Sequence, residues 1–263
     1  METMEMNQSK VLNKLRAGKM VNCIKVNTYD HRVVEIAAMC GFDCIWSDLE
    51  HTPGDLAPLE KQILTAKLHG ADTLVRVKRG SYSDHIHPLE MNAEGIMVPH
   101  VMNLEDAKRV VQMTRFHPVG RRAIDGGNAD GAYSMIGLDD YIKQSNEHRF
   151  VIIQIEDHEA LNDLDAICAL DGLDVIFFGP GDFLHSIGAP GEWDHPEVTR
   201  VRKLIAETAV RHGKFAGTVC GDLSEMREWY DIGYRFICLG ADVLGLQEYF
   251  KRLLKTFSEE FDR

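Results

Sequence analysis

The sequence of 263 residues lacks the features of several large classes of protein. No apolar run approaches the roughly 18 residues of a membrane helix, and the amino-terminal segment has no apolar core of the signal-peptide kind. The six cysteines form no CxxC pair, and most lie in apolar runs. Cysteines of this kind fit reduced thiols in a cytoplasmic protein better than a disulfide framework. We therefore expect a cytoplasmic protein that does not interact with membranes.

Positive charge is also scarce. The chain has 29 Lys and Arg residues against 41 Asp and Glu, so its formal net charge is −12. No basic stripe offsets this surplus, which argues against nucleic acid as a partner. Small anionic substrates are not excluded, because they respond to local charge. With 44% hydrophobic residues the chain can bury the large core of a globular protein.

Short catalytic motifs are missing as well. No GxGxxG or Walker pattern follows the first predicted strand, which counts against a doubly wound nucleotide-binding sheet. Neither Ser134 nor Ser186 lies in a GxSxG context, so nucleophilic serine chemistry has no support. The function must instead come from residues that the fold brings together.

What the sequence does contain is a regular alternation of short apolar runs with helical patterns. Several helices begin at Asp or Asn and end at Gly, as Asn103 and Gly70 illustrate. Such an alternation over about 250 residues predicts an α/β fold, namely a (β/α)8 TIM barrel that forms one domain over residues 1–263. A doubly wound sheet is the alternative. The predicted strands are residues 20–26, 42–49, 72–78, 95–101, 150–156, 173–179, 214–219 and 235–240.

Two segments depart from this alternation. Residues 118–137 are rich in Gly and poor in apolar residues, which predicts a long loop over a strand end, at the active site. The last helix, 243–261, carries an apolar stripe from Val243 to Phe257. Such a stripe packs either on the barrel or on another subunit, and packing on the barrel is the default expectation.

Polar residues follow four of the predicted strands, at the point where each strand ends. Because the active site of a (β/α)8 barrel lies at the carboxyl ends of its strands, we expect these side chains to meet in one cleft. They are Asp48, Glu50 and His51 after the second strand, Arg76 and Lys78 in the third, Gln154 and Glu156 in the fifth, and Asp182 after the sixth.

Glu156 and Asp182 end neighbouring strands. Two carboxylates in one cleft repel each other unless a proton or a cation lies between them. Mg²⁺ or Mn²⁺ takes one or two carboxylates and keeps waters that substrate oxygens can replace. We therefore expect Glu156 and Asp182 to bind Mg²⁺ or Mn²⁺, with Co²⁺ and Zn²⁺ as further candidates. The alternative is that each carboxylate caps the helix that follows it.

Three further features are candidates for the chemistry. Arg76 is a fixed cation suited to an oxyanion, or to an ion pair with Glu50. His51 lies three residues from Asp48, whose carboxylate could orient the imidazole as an acid–base group. The turn at Gly179–Asp182 could present backbone N–H groups to a substrate carboxylate, or could be a plain tight turn.

Three other histidines have weaker signals. His100 ends the fourth strand, and the sequence leaves open whether it lines the cleft. His85 and His87 are two residues apart, a spacing that fits no helical metal motif. We expect both to lie at the surface.

Taken together, these stretches resemble the HpcH/HpaI family of class II pyruvate aldolases. The resemblance runs from about residue 20 to 245, in the family's order, through "SDLEH", "VRVKRG", "MVPHVMNLEDAKRVVQMTRFHPVGRRA", "VIIQIED", "LDVIFFGPGD" and "HPEV". The chain departs from the family pattern after "GRRA", where "IDGGNADGAYS" would lie beside the aldehyde part of a substrate. It departs again at Gly181, where Ala is commoner in the family.

The resemblance implies a (β/α)8 barrel with carbon–carbon lyase activity. Such an enzyme cleaves a 4-hydroxy-2-oxo acid reversibly into pyruvate, or a related 2-oxo acid, and an aldehyde. It also implies a divalent metal held by Glu156 and Asp182. Family members are commonly hexamers whose last barrel helix swaps between paired subunits, which makes a subunit contact for residues 243–261 as well supported as packing on the barrel.

The same resemblance implies roles for the remaining site residues. His51 with Asp48 would be the acid–base pair, and Arg76 would stabilise the enolate. Gln154 would contact the substrate or a metal-bound water. The backbone of Gly181 and Asp182 would hold the carboxylate of the 2-oxo acid.

Other functions stay open on the sequence alone. Lys78 or Lys25 approaches a strand end and could form a Schiff base with a keto acid. A lyase for acyl-CoA esters could use the same barrel, although no basic patch for an adenine phosphate is evident. A barrel that binds a 2-oxo acid without turnover is the non-enzymatic alternative.

Overall fold

The computed structural model describes residues 4–221 and 223–261, and these form a single-domain (β/α)8 barrel, as predicted. Eight parallel strands pair in chain order, and the first closes the barrel against the last. The strands lie inside their predicted runs, except that β8 exceeds its run by one residue at each end. They are β1 (Val21–Val26), β2 (Cys44–Asp48), β3 (Asp72–Arg76), β4 (Gly95–Val98), β5 (Phe150–Ile155), β6 (Val175–Phe178), β7 (Phe215–Val219) and β8 (Tyr234–Ala241).

Helices cover the outside of the barrel, and their predicted caps are confirmed where the sequence signalled them. The side chain of Asn103 accepts a hydrogen bond from the Asp106 backbone N–H, and Gly70 follows its helix with a φ of +68°. The helices are α1 (Lys10–Arg16), α2 (His31–Met39), α3 (Leu56–Leu68), α4 (Tyr82–Glu90), α5 (Leu104–Thr114), α6 (Leu138–His148), α7 (Leu164–Cys168), α8 (Pro180–Ser186), α9 (Pro196–Arg211), α10 (Met226–Asp231) and α11 (Asp242–Phe261).

The strands β2 to β6 are buried along their whole length, so both of their faces are covered. In β2, Cys44 and Trp46 belong to the cluster inside the barrel, while Ile45 packs outward under the helices. Trp46 meets Phe177 of β6 edge to face, with ring centroids 5.6 Å apart. Asp48 lies two residues beyond Trp46 and therefore on the same, inward face of the strand. The barrel interior thus changes from apolar to charged towards its carboxyl end.

The amino-terminal end of the barrel is closed by α1. Val11, Leu12 and Leu15 pack into the interior cluster. The carboxylate of Asp72, at the start of β3, accepts hydrogen bonds from Ser9 Oγ at 2.6 Å and from the Val11 backbone N–H at 2.8 Å. These contacts hold α1 over the amino-terminal end of the barrel.

The segment 118–137 lies between α5 and α6 and is organised around a buried ion pair. Arg122 Nη2 donates to Asp130 Oδ2 at 2.8 Å, and both side chains are almost fully buried. The Arg122 guanidinium also stacks on the ring of Phe116, and Tyr141 Oη donates to Asp130 Oδ2 at 2.8 Å. A sequence rich in Gly and polar residues is therefore compatible with an ordered element, because an internal ion pair replaces an apolar core.

The last helix, α11, extends away from the barrel, and the default expectation that it packs there is wrong for this chain. Only its start is anchored: the carboxylate of Asp242 accepts hydrogen bonds from Asn27 and Thr28, just after β1. No residue of α11 is buried, and Phe250, Leu254 and Phe261 are 56–70% exposed. An apolar stripe thus remains open to a partner. None of the described helices is both long enough and apolar enough to span a bilayer.

The buried ion pair leads to a stability prediction. We expect Asp130→Ala to lower the free energy of unfolding by about 3–5 kcal/mol, because it leaves the Arg122 guanidinium buried without a counter-charge. Urea denaturation followed by circular dichroism measures the change. Asp125→Ala, at an exposed position in the same segment, is the control and should cost less than about 1 kcal/mol. Equal effects of the two substitutions would contradict the structural role given to the pair.

Candidate active site

A cavity of about 640 Å³ opens at the carboxyl end of the barrel, a size typical of a small-molecule site. Asp48 is completely buried next to it. The sequence-predicted residues that line the cavity are His51, Arg76, Gln154, Glu156, Gly181 and Asp182. The strand ends thus bring the predicted set together. None of residues 118–137 lines this cavity, and their predicted place at the active site stays a prediction.

Asp48 binds two cations from neighbouring strands. Its carboxylate accepts hydrogen bonds from Arg76 Nε at 2.9 Å and Nη2 at 2.6 Å, and Lys25 Nζ lies 2.8 Å away. Burial acts to raise the pKa of Asp48, but the hydrogen bonds from Arg76 and the charges of Arg76 and Lys25 outweigh it and hold the pKa at about 2. Asp48 therefore stays ionised and fixes the orientation of the Arg76 guanidinium.

His51 does not have the partner that the sequence suggested. Both oxygens of Asp48 are occupied by Arg76, Lys25 and the backbone N–H of Glu50. The Nε2 atom of His51, which is exposed, lies instead 3.5 Å from Glu50 Oε2. The carboxylate that can orient the imidazole is thus Glu50, and the expected pairing of His51 with Asp48 is corrected.

Glu50 also contacts Arg76 and His100. The sequence analysis gave the ion pair with Arg76 as an alternative and did not predict the contact with His100. Its Oε2 lies 2.9 Å from Arg76 Nη1, in an ion pair without hydrogen-bond alignment. Its Oε1 lies 3.7 Å from His100 Nε2. Glu50 thereby connects His51, Arg76 and His100 around the mouth of the cavity.

Glu156 is buried at the end of β5, where two donors hold its carboxylate. Oε1 accepts the His100 backbone N–H at 2.8 Å, and Oε2 accepts Gln154 Nε2 at 3.0 Å. Gln154 Oε1 in turn lies 3.5 Å from Arg76 Nη1, so the amide links the guanidinium to the carboxylate. A Cβ atom at Gly179 would lie 2.5 Å from Glu156 Oε2. The first glycine of the "GPGD" turn is therefore required for Glu156 to occupy this place.

Asp182 and Gly181 lie in the first turn of α8. The first intrahelical hydrogen bond is donated by the Phe183 N–H to the Gly179 carbonyl, so the N–H groups of Gly181 and Asp182 have no partner within the helix. The side chain of Asp182 is exposed and faces the cavity. A Cβ at Gly181 would make ordinary contact with Trp193, at 3.6 Å, so the Ala that is commoner in the family would also fit.

The charge balance at Glu156 suits a bound cation. Burial raises the pKa of Glu156 to about 7, with the negative charges of Asp182 and Glu50 adding to the rise and the His100 N–H opposing it. A carboxylate that is buried beside another carboxylate is stabilised in its ionised form by a divalent ion between them. The described residues contain no group of three or more His, Cys, Asp or Glu placed to ligate one ion. Two carboxylates with water or substrate oxygens are the ligand set of Mg²⁺ or Mn²⁺.

Several residues differ from the expectations or were missed. His100 is not among the residues that line the cavity, but its backbone N–H binds Glu156 and its Nδ1 lies 3.0 Å from Asp157 Oδ2. His85 is buried rather than at the surface, with Nδ1 2.9 Å from the Ser81 carbonyl. Lys78 is exposed and lies outside the cavity lining, whereas Arg202 lines the cavity although no sequence signal marked it. Arg202 lies on the helix α9, whereas the sequence analysis searched for site residues only at the ends of strands.

Comparisons with known proteins agree with the fold. The model of the HpcH/HpaI aldolase/citrate lyase family matches residues 25–247. A hydroxypyruvate/pyruvate aldolase of Cupriavidus necator is 31% identical over 87% of this chain and 84% of its own length. A 5-keto-4-deoxy-D-glucarate aldolase of Enterobacter sp. (strain 638) is 30% identical over 94% of this chain and 97% of its own. Among solved structures, citrate synthase SbnG superposes with a TM-score of 0.88 at 28% identity, covering 97% of this chain and 99% of that one.

The low pKa of Asp48 leads to a prediction about pH. The pKa is about 2 in the folded protein and 3.8 in the unfolded chain. Its contribution to stability is therefore complete above pH 4 and is lost as the pH falls through 2, by on the order of 2 kcal/mol. We expect Asp48→Asn to remove this part of the acid dependence and to destabilise the fold, since Lys25 loses its counter-charge and Arg76 keeps only that of Glu50.

Denaturation curves between pH 2 and 5 measure this effect. Asp30→Asn is the control: the pKa of Asp30 is also lowered to about 2, by Arg32, but this ion pair is exposed. Its influence should therefore disappear at high salt, while that of Asp48 persists. An unchanged acid dependence in Asp48→Asn would show that the buried ion pair does not set it.

Proposed function

The chain belongs to the HpcH/HpaI aldolase/citrate lyase family and is a carbon–carbon lyase, and we propose that its substrate is a 4-hydroxy-2-oxo acid. In this proposal a divalent-metal-dependent aldol cleavage gives pyruvate, or a related 2-oxo acid, and an aldehyde in a reversible reaction. The observation that carries the proposal is the buried Glu156 carboxylate, which lines the same cavity as Asp182 and is linked through Gln154 to the fixed guanidinium of Arg76.

Glu156 and Asp182 would hold the metal, which is Mg²⁺ or Mn²⁺ in this proposal because both donors are carboxylate oxygens. The chemistry that such an ion supplies when bound is Lewis-acid polarisation of a carbonyl oxygen. The backbone N–H groups of Gly181 and Asp182, open at the start of α8, would hold the carboxylate of the 2-oxo acid. Gln154, hydrogen-bonded to Glu156, would contact the substrate from the floor of the cavity.

The remaining side chains move the proton and stabilise charge. His51, oriented by Glu50, would take the proton of the C4 hydroxyl while the C3–C4 bond breaks and the aldehyde forms. The bonding electrons pass to the 2-oxo group as negative charge on its oxygen. Arg76 stabilises that charge because Asp48 and Glu50 have already fixed its guanidinium, so no reorganisation is needed during the reaction. Protonation at C3 then gives pyruvate.

The Schiff-base alternative has less support from the geometry. Lys25 lines the cavity, but its Nζ forms an ion pair with Asp48 at 2.8 Å. Such a pair uses the ammonium form, whereas Schiff-base formation requires the free amine. Lys78 lies outside the cavity lining. The acyl-CoA lyase and the non-catalytic barrel remain as alternatives that the assays below distinguish from aldol cleavage.

We also propose that the enzyme is a cytoplasmic homo-oligomer, a hexamer in which α11 packs on a neighbouring copy. The exposed apolar stripe of α11 supports the contact, because none of the described residues covers it. The cytoplasmic location is supported by the cysteines, all six of which are described and none of which is joined in a disulfide.

Exchange of the pyruvate methyl protons in D₂O, followed by NMR, tests the reaction without requiring the aldehyde. We expect exchange to stop in excess EDTA and to return with Mn²⁺ or Mg²⁺. Glu156→Gln and Asp182→Asn should each reduce it roughly 100-fold or more and weaken Mn²⁺ binding measured by electron paramagnetic resonance. Asp194→Asn, which changes another carboxylate of the same cavity, should retain both.

Full exchange in excess EDTA would refute the metal-dependent mechanism. Covalent labelling by pyruvate and borohydride would then favour Schiff-base chemistry at Lys25. Absence of exchange under every metal condition, with pyruvate bound, would favour the non-catalytic barrel. Turnover of acyl-CoA esters without exchange of free pyruvate would favour the acyl-CoA lyase.

Light scattering coupled to size-exclusion chromatography tests the assembly. The wild type should elute as six copies, and Phe250→Asp should give smaller species, because a charge then replaces an aromatic ring in the apolar stripe. Lys251→Asp, on the polar side of α11, should leave the assembly intact. A monomeric wild type would contradict the proposed role of α11.

A further inference from the structure

Arg202 is a cation of the cavity that the proposed chemistry does not use. It extends from α9 into the cavity lining, beside Trp193 and Trp229. Its guanidinium carbon lies 4.4 Å from the ring centroid of Trp229, which is itself buried at 3% exposure. A guanidinium stacked on a rigid indole has a defined position.

The other cations of the cavity are already neutralised. Arg76 pairs with Asp48 and Glu50, and Lys25 pairs with Asp48. Among the described residues none forms an ion pair with Arg202. The Nε atom of Arg202 is shielded from solvent and has no hydrogen-bond partner among the described residues.

Stacking occupies the face of the guanidinium and leaves its N–H edge for other contacts. That edge is a fixed set of donors that matches two oxygens of a carboxylate or a phosphate. No described residue accepts a hydrogen bond from the Nη groups of Arg202, so a carboxylate or phosphate in the cavity can supply the acceptors. The formal net charge of −12 makes such a local cation more important for an anionic ligand, since the chain as a whole repels it.

The position in the cavity indicates which part of the substrate Arg202 meets. The carboxylate of the 2-oxo acid is assigned to the start of α8, next to Glu156. Pyruvate has only three carbons, and a cavity of about 640 Å³ has space for a longer second product. Arg202 and Trp229 lie on α9 and α10, which follow β6 and β7. Because these helices lie outside the ring of strands, Arg202 and Trp229 reach the cavity from its periphery, whereas Arg76 and Gln154 project from the strands β3 and β5.

We propose that Arg202 determines the choice of aldehyde by binding an anionic group, a carboxylate or a phosphate, at the end of the aldehyde remote from the carbonyl. This inference rests on the proposed aldol reaction and adds the chemical class of the aldehyde to it. Trp229 is a positioning residue, because it acts by holding the guanidinium. The substrate in the cleavage direction is then a 4-hydroxy-2-oxo acid with a second anionic group at its far end.

The test compares charged and uncharged aldehydes as partners of pyruvate in the direction of synthesis, with Mn²⁺ present. Succinic and glutaric semialdehydes supply the carboxylate, glyceraldehyde 3-phosphate supplies the phosphate, and butanal and pentanal are the uncharged references. The wild type should prefer at least one anionic class over the references in kcat/KM. Arg202→Gln should reduce kcat/KM for the preferred anionic aldehyde by about 10- to 100-fold.

The uncharged aldehydes and the pyruvate proton exchange serve as internal controls and should change less than about threefold in Arg202→Gln. Arg200→Gln makes the same substitution two residues away on α9, at an exposed arginine that pairs with Glu197. It should leave the preference intact. Arg202→Lys, which keeps the charge without the planar fork, should recover part of the activity with the anionic aldehyde.

Two sets of results would overturn the proposal. One is a wild type that exchanges pyruvate protons but does not distinguish anionic from uncharged aldehydes. The other is an Arg202→Gln variant that loses charged aldehydes, uncharged aldehydes and exchange to the same degree, since Arg202 would then maintain the cavity as a whole. Failure of the wild type to exchange pyruvate protons refutes the aldol reaction itself, and is therefore distinct from both.

Discussion

Two hydrogen bonds join the buried carboxylate of Asp48 to the guanidinium of Arg76 across the carboxyl ends of β2 and β3. Removing one member of a buried ion pair is costly, because the buried charge that remains has lost a partner; here Lys25 and Glu50 compensate it in part. Through Arg76 the pair orients Gln154, and through Gln154 it reaches Glu156. A rigid cation thus stands near the carboxylate that would hold the metal, and both are in place before a substrate binds.

Most of the fold could be predicted from the sequence, because each strand is a short apolar run and its inward positions follow the period of two. The segment 118–137 could not. It is ordered by the pair of Arg122 and Asp130, and nothing local in the sequence shows that these two charges are buried together. His85 was misplaced for a similar reason, since its imidazole is buried by packing and satisfied by the Ser81 carbonyl.

The sequence could predict which residues at the strand ends line the cavity. It could not predict which of these side chains pair with each other. The rule for barrels placed Arg76, Gln154 and Glu156 in one cavity. Sequence separation suggested Asp48 as the partner of His51, but Asp48 points into the barrel and is used by Arg76 and Lys25. Glu50, one residue before His51, faces it instead. Proximity in sequence does not decide which of two carboxylates turns outward.

The central claim is that Glu156 and Asp182 share one divalent cation at the floor of the cavity. Anomalous diffraction from crystals soaked in Mn²⁺ tests it directly, because the signal locates the ion independently of turnover. We expect one strong anomalous peak between the two carboxylates, with an oxygen of each carboxylate about 2.0–2.3 Å from the ion. A peak bound elsewhere, or two carboxylates turned apart with no peak joining them, would contradict it.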